Sequence, residues 1–308
     1  MATLKANLAQ LYTPIYDSFM LASYAPLEQV HPKIYDVITD PTSEWKHDDV
    51  SGTGRWTTAS EGSGGGYQDP VLGYPTTITP EKRWSKLAIS FESIDQDEYA
   101  LAKKIGESKE MGKGAKDDIE TNTANFLTNG FTTASSPDGE FLFDTDHPKN
   151  REETGTTYDN LLAGAFSHDA LEAAETQIAA NYFDERGIPI PPSISPILLY
   201  PPALRGPVAR VLDQRANERP TTTQRDINIF AGKYTPVEWQ YLSAACGGSN
   251  TAWFILYPQL GFLKVVMNSQ PHFTSWVDED LEYINFKGRF LYDYGCINWR
   301  CGFGSTGV

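Results

Sequence analysis

The chain has 308 residues, 40% of them hydrophobic, enough for one large domain or two of ordinary size with real cores. Its 25 basic against 40 acidic residues give a formal net charge of -15, a surface that repels phosphate backbones and anionic lipid headgroups and excludes tight sequence-specific nucleic-acid binding. The N-terminus lacks the continuous apolar core of a signal peptide and no run approaches the roughly 18 apolar residues of a membrane span. Cys246, Cys296 and Cys301 show no CxxC spacing, so the chain reads as a soluble protein made in a reducing cytoplasm.

Residues 1–48 show little periodicity, and prolines at 14, 26, 32 and 41 prevent a long helix, so an extended arm is expected. From Trp45 to Tyr74 the composition shifts to seven glycines (52, 54, 62, 64, 65, 66 and 73) with scattered Trp56 and Tyr67 and almost no aliphatic residues. Such a stretch buries no core of its own. In the RWSKLAISFESI that follows, Leu87, Ile89 and Phe91 alternate at the period of a half-buried strand. Together these features predict a long projecting hairpin with a glycine-rich tip, and a loop of that length implies a binding role or disorder.

Between Asp95 and Asn129 the pattern becomes helical, with Leu101, Ile105, Ser108, Gly112, Ala115, Ile119 and Phe126 near one stripe and Lys113–Asp117 and Lys116–Glu120 at i,i+4 spacing. The helix would be roughly 50 Å long at about 1.5 Å per residue. Its stripe is thin and its other faces polar, so it must lie across a sheet or against neighbouring chains. SSPDGEFLFDTDHP supplies a turn at Asp138-Gly139 and a short strand. Ser167 is an N-cap for a helix whose core face is Leu171, Ala174, Ile178 and Tyr182 and whose stop is Gly187. A buried strand (PILLY, 196–200), a helix in PALRGPVARVLDQ, two apolar segments (TAWFILYP and GFLKVVMN) and an aromatic, strand-favouring C-terminus complete the chain, without internal repeats.

FDTDHP, Phe143 to Pro148, is the nearest approach to a catalytic signature in a chain with five histidines. On a strand, Asp144 and Asp146 face one way while Thr145 and His147 face the other, and Pro148 holds His147 extended, so the three candidate ligands do not converge. Local capping at a strand end is the preferred reading. The same holds for His168-Asp169 in the first turn of a capped helix. GSGGGYQDP lacks the flanking strand, the GK[ST] and the helix start of a phosphate loop, and no serine or cysteine lies in a nucleophile signature. No catalytic residue, cofactor-binding residue or metal ligand is therefore assigned. The alternative is a carbohydrate-active or metal-assisted hydrolase using Asp144, Asp146 and His147, and a tail or decoration protein is a weaker one.

An arm, a projecting hairpin, a long polar helix and a compact region without a catalytic constellation imply protrusions buried between copies, the organisation of an assembly subunit. In this order of segments the chain resembles the major capsid proteins of tailed double-stranded DNA bacteriophages with the Hong Kong 97 type fold. The hairpin resembles their extended E-loop and the helix from about 95 to 129 their spine helix. LFDTDHP, TTYDNL, SHDALEAAETQI and RGIPIPPSISPILLYPPALRGPVARVL resemble the run of one large branch, in which Leu142, Phe143, His147, Pro148, Asn160, Leu161, Pro201 and Pro202 take the motif positions. The tail with Gly295, Trp299 and Arg300 before GFGS resembles that branch's closing strand.

The resemblance implies an α+β subunit with an N-terminal arm (1–45), an E-loop hairpin (46–90), a peripheral domain with the spine helix (91–155, plus strands at about 271–292) and an axial domain (156–270, plus a C-terminal strand at about 293–308). It further implies pentamers and hexamers of the chain in an icosahedral virion shell enclosing double-stranded DNA without sequence-specific binding, no enzymatic activity, no cofactor and no membrane. Scaffold, portal and decoration proteins are the implied partners. With only about 45 residues before the hairpin, a separate scaffold or none is expected if Met1 is the start. Lys82 and Lys86 lie near the hairpin, and the resemblance assigns them no cross-linking partner.

Overall fold

The computed structural model describes residues 28–51, 54–56, 58–62, 64, 66–96, 98–152, 155–190, 196–212 and 228–308, with backbone only for those of 94–109. Most of the arm expected over 1–45 lies outside the described residues. Its described end is not simply extended: α1 (His31–Ile34) begins with Pro32 in its first turn, and β1 (Asp36–Thr39) runs parallel to a long C-terminal strand. His31, Ile34 and Tyr35 are buried, so this stretch is part of the core. The prolines that exclude a long helix still allow one helical turn and a short strand.

β2 (Trp45–Ser51) and β3 (Val71–Ile78) pair antiparallel, with residues 52–70 between them. The expected hairpin exists, but its returning strand is β3 rather than 87–91. Pro75 is tolerated in β3 because the strand pairs on one side only. The Leu87-Ile89 alternation belongs instead to β4 (Glu81–Ser90), and Phe91 opens a short helix, α2 (Phe91–Gln96). α3 (Glu98–Asn129) is the predicted long helix, 32 residues or about 48 Å. Its inward face near the C-terminal end is Gly112, Ile119, Thr123, Ala124 and Leu127, with Phe126 half-buried; the side chains of Leu101, Ile105 and Ser108 lie outside the described residues. Lys113 pairs with Glu110 at 2.6 Å rather than with Asp117, whose carboxylate accepts from the Tyr241 hydroxyl.

The chain then makes three very short strands, β5 (His147–Pro148), β6 (Thr157–Tyr158) and β7 (Leu161–Leu162). They lead into α4 (His168–Asn181), which the Ser167 hydroxyl caps by accepting from Ala170 N at 3.1 Å. Leu171, Ala174, Ile178 and Tyr182 are buried as the pattern predicted. The helix ends at Asn181, with Tyr182 N still bonded to Ile178 O; Gly187, at φ +80°, serves the following turn rather than the helix end. β8 (Ile197–Tyr200), α5 (Arg205–Leu212), β9 (Thr235–Glu238), β10 (Trp253–Leu256), β11 (Leu263–Asp278), β12 (Tyr283–Cys296) and β13 (Gly302–Ser305) complete the order.

Two sheets organise these elements. The first, in the order β1-β11-β12-β4, is built on the long β11–β12 hairpin, about 50 Å at some 3.4 Å per residue, which matches the length of α3 lying across it. Pro271 falls where the β11 register slips between Ser269 and His272, a place where no ladder donor is needed. The second sheet has the order β7-β13-β10-β8-β9, and all four residues of β10 are buried, as expected for a strand covered on both faces. One core joins both sheets through Ile119, Leu127, Phe143, Leu199, Phe254 and Tyr292, while α4 and α5 close a second core around Trp253 and Phe303.

Candidate assembly site

The six residues of FDTDHP do not form one strand. Only His147 and Pro148 are paired, and the preceding residues turn. Phe143 is buried against Phe131 and Phe254, with ring centroids at 5.2 and 5.3 Å. This ring also explains a glycine of GFGS, because a Cβ on Gly304 would stand 2.7 Å from Phe143 Cγ. The Asp144 carboxylate accepts from Thr145 N at 2.7 Å, a local turn, while Asp146 is exposed. His147 is fully buried, its Nδ1 2.7 Å from Asp138 Oδ2 and its ring stacked on Trp299 with centroids 4.6 Å apart. The two aspartates and the histidine do not converge. The imidazole instead fastens the Asp138-Gly139 turn to the C-terminal segment.

Asp138 is drawn two ways. Burial opposes its charge, but the His147 hydrogen bond and charge, together with the Ser136 hydroxyl and Glu140 N–H, outweigh burial and hold the carboxyl below the usual aspartate value. Asn160 provides a second fastening. Its Nδ2 donates to Leu142 O at 3.0 Å and lies within reach of the Trp299 and Gly302 carbonyls at 3.2 and 3.3 Å, and its Oδ1 accepts from Asp144 N at 2.8 Å. Leu161, next in sequence, pairs with Gly304 in the parallel β7–β13 ladder. Pro201 and Pro202 turn the chain from β8 into α5.

Beside this lies a buried ion pair, Arg300 Nη1 to Glu185 Oε1 at 2.8 Å, with the guanidinium over the Trp299 ring at 4.5 Å. Burial pulls the Arg300 pKa below the ordinary arginine value, against the opposing pull of Glu185 and Asp49. Asn298 bridges the cluster to the hairpin base: its Nδ2 donates to Asp49 Oδ2 on β2 at 2.9 Å. On β3, the Tyr74 hydroxyl reaches Asn150 O at 3.4 Å, and Ile78 fills the space a Cβ on Gly295 would need. One polar junction thus holds the hairpin, the FDTDHP turn and the closing strand in register. Sequence reading found His147, Asn160, Trp299 and Arg300, gave Asp138 only as a turn residue, and missed Asp49 and Glu185. The partners of these last two lie 249 and 115 residues away, and no local pattern marks them.

The hairpin beyond this base buries little. Trp56 and Tyr67 are 96% and 104% exposed, and the distal residues touch the body through Arg186, which donates to Asp69 O. Large aromatic surface held in water on a monomer marks a contact surface. Elsewhere, His168, Asp169 and Glu172 bring ligand-type atoms within 4.8 Å of one another in the first turn of α4. Both carboxylates are exposed and favour the positive helix end, which agrees with capping. No described helix is long and apolar enough to cross a membrane.

Comparison with known proteins bears directly on this arrangement. Residues 76–178 match the family model of the Mu-like prophage major head subunit gpT. No curated protein matches the chain. Among solved structures, the capsid of cyanophage P-SCSP1u superposes with a TM-score of 0.61 at 12% identity, over 90% of this chain and 88% of that one. The mature capsid of bacteriophage PhiM1 gives 0.60 at 14% identity, over 92% and 88%. The virus-like particle of Pyrococcus furiosus gives 0.54 at 9%, over 96% and 99%. The fold is the Hong Kong 97 type. The chain is α+β as expected, and the head-subunit match spans β4, α3 and the FDTDHP junction.

Proposed function

We propose that the chain is the major capsid protein of a tailed double-stranded DNA phage, joining its own copies as pentamers and hexamers in an icosahedral shell around the genome. The observation that carries this reading is a Hong Kong 97 type fold over about nine-tenths of the chain, together with the head-subunit match across β4, α3 and the FDTDHP junction. In this reading β2 and β3 with the glycine-rich tip form the E-loop that reaches over a neighbour. α3 with the β11–β12 sheet forms the peripheral domain, and the β10-centred sheet with α4 and α5 forms the axial domain. The polar junction sets the angle of the E-loop on the body. The net charge of -15 suits a container whose wall must not hold the packaged DNA. Portal, scaffold and decoration proteins are its further partners, and the DNA is enclosed without sequence readout.

Electron microscopy of the purified, full-length chain tests the reading. Closed shells are expected, alone or with a scaffold supplied, and rings, tubes or persistent monomers under both conditions would overturn it.

A further inference from the structure

The sheet of β4, β12 and β11 has α3 on one face and nothing described on the other. Alternation places Lys82, Trp84 and Lys86 of β4 on this open face, opposite Leu291, Arg289 and Lys287 of β12. Trp276 of β11 joins them. Trp84 is 62% and Trp276 41% exposed, each with a lysine over its ring: Lys287 Nζ lies 5.4 Å from the Trp84 centroid and Lys86 Nζ 5.1 Å from that of Trp276. No carboxylate among the described residues pairs with Lys82, Lys86, Lys287 or Arg289. This sheet face is cationic and aromatic in a chain of net charge -15.

The same hairpin ends in the opposite chemistry. Its tip carries Asp278, Glu279, Asp280 and Glu282 around Leu281, which is 65% exposed. The tip has a defined shape. Asp278 Oδ1 accepts from Leu281 N at 3.2 Å, Glu282 stands at φ +54°, and Glu282 O accepts from Phe91 N at 2.9 Å. The tip cannot fold back on its own sheet face, because Glu282 and Lys287 are five residues apart on one extended strand, about 17 Å at some 3.4 Å per residue.

We propose that this open face, centred on Lys86, Lys287 and Arg289 with Trp84 and Trp276, is the docking surface for the acidic β11–β12 tip of a second copy of the chain. The proposal rests on the capsid reading for its supply of neighbouring copies. Four carboxylates meet four cations that pair with no carboxylate among the described residues, and Leu281 meets the indoles, a contact that a phosphate backbone has no group to make. Because donor and acceptor patches differ, the contact is head-to-tail, the kind that closes into a ring when its rotation closes.

Two measurements on the full-length protein test it. In assemblies grown from mixed ordinary and nitrogen-15-labelled copies, carbodiimide cross-linking and mass spectrometry should join the 278–282 peptide of one isotope to Lys86 or Lys287 of the other. Inter-copy links found only elsewhere, or tip-to-face links confined to one isotope, overturn the proposal. The double variant Lys86→Glu/Arg289→Glu, exposed and expected to keep its circular dichroism, should raise the concentration needed for assembly about tenfold. Adding Glu279→Lys and Asp280→Lys should bring it back to within about threefold of the original. Lost assembly that the tip reversal does not restore overturns the docking, as does binding of a labelled DNA duplex that vanishes in the Lys86→Glu/Arg289→Glu variant while assembly is unchanged. Shells that form normally in that variant remove this inference and leave the capsid reading intact. The predicted cross-links in a chain that forms no shells would do the reverse.

Discussion

His31 and Glu120 are 89 residues apart in sequence and meet inside the core, Nδ1 to Oε1 at 2.8 Å. The same carboxylate accepts from Val30 N at 2.9 Å, His31 N at 3.2 Å and, through Oε2, Trp239 Nε1 at 2.7 Å. Glu120 is buried, so its charge is tolerated only because these donors surround it. One side chain on α3 thereby ties the N-terminal segment to the second sheet. Glu120→Ala leaves buried N–H groups without acceptors and should cost about 3 to 5 kcal/mol in denaturant unfolding. Glu120→Gln keeps the shape and one acceptor oxygen and should cost less; a loss equal to that of the alanine variant would show that the charged carboxylate, not packing, is what matters.

His147 is a structural histidine on its contacts. His147→Ala would open a cavity beneath Trp299 and leave the Asp138 carboxylate buried without its partner, a loss of about 3 kcal/mol by thermal or chemical unfolding. The metal content of the purified protein should be unaffected by the change. Stoichiometric metal that disappears on substitution would revive the hydrolase reading of Asp144, Asp146 and His147.

Acid should act through Asp138. Its pKa in the folded chain lies below that of the unfolded chain, so its contribution to stability is complete above the ordinary aspartate value of about 3.9 and is lost as pH falls through the folded value. Comparing unfolding midpoints from pH 6 down to pH 2, Asp138→Asn should be less stable than the parent at pH 6, with the gap closing below about pH 4. A gap independent of pH would assign the effect to shape alone.

Asn160 satisfies groups from two segments at once, 142–144 and 299–302, so Asn160→Ala leaves buried carbonyls and Asp144 N without this partner. A destabilisation of about 2 to 3 kcal/mol is expected, together with faster hydrogen exchange at Asp144. Unchanged exchange there would contradict the role assigned to Oδ1.

Deleting residues 60–67 removes hairpin-tip chain whose described residues are all exposed. The monomer's unfolding transition should move by less than about 1 kcal/mol while shell yield collapses, read by light scattering and microscopy. Normal particles from the deletion would remove the E-loop role from this tip.

Much of the architecture was legible locally. The 3.6-residue stripe announced α3, Ser167 and the Leu171-Ala174-Ile178 spacing announced α4, and the apolar run of PILLY announced β8. Each rests on periodicity or capping, which neighbouring residues settle among themselves. The order of these segments with LFDTDHP and the YPPAL turn also pointed to the family of folds. Tertiary structure decided which strands pair: β3 rather than 87–91 closes the hairpin, because β4 gains a whole sheet by pairing with β12. It also decided how buried charge is compensated. Glu120 reads as a surface i,i+4 partner and becomes a core acceptor, and Arg300 finds Glu185 at a separation of 115 residues. Hydrogen bonds to buried charges depend on what folding brings near and what water it excludes, and neither is encoded in the spacing of adjacent residues.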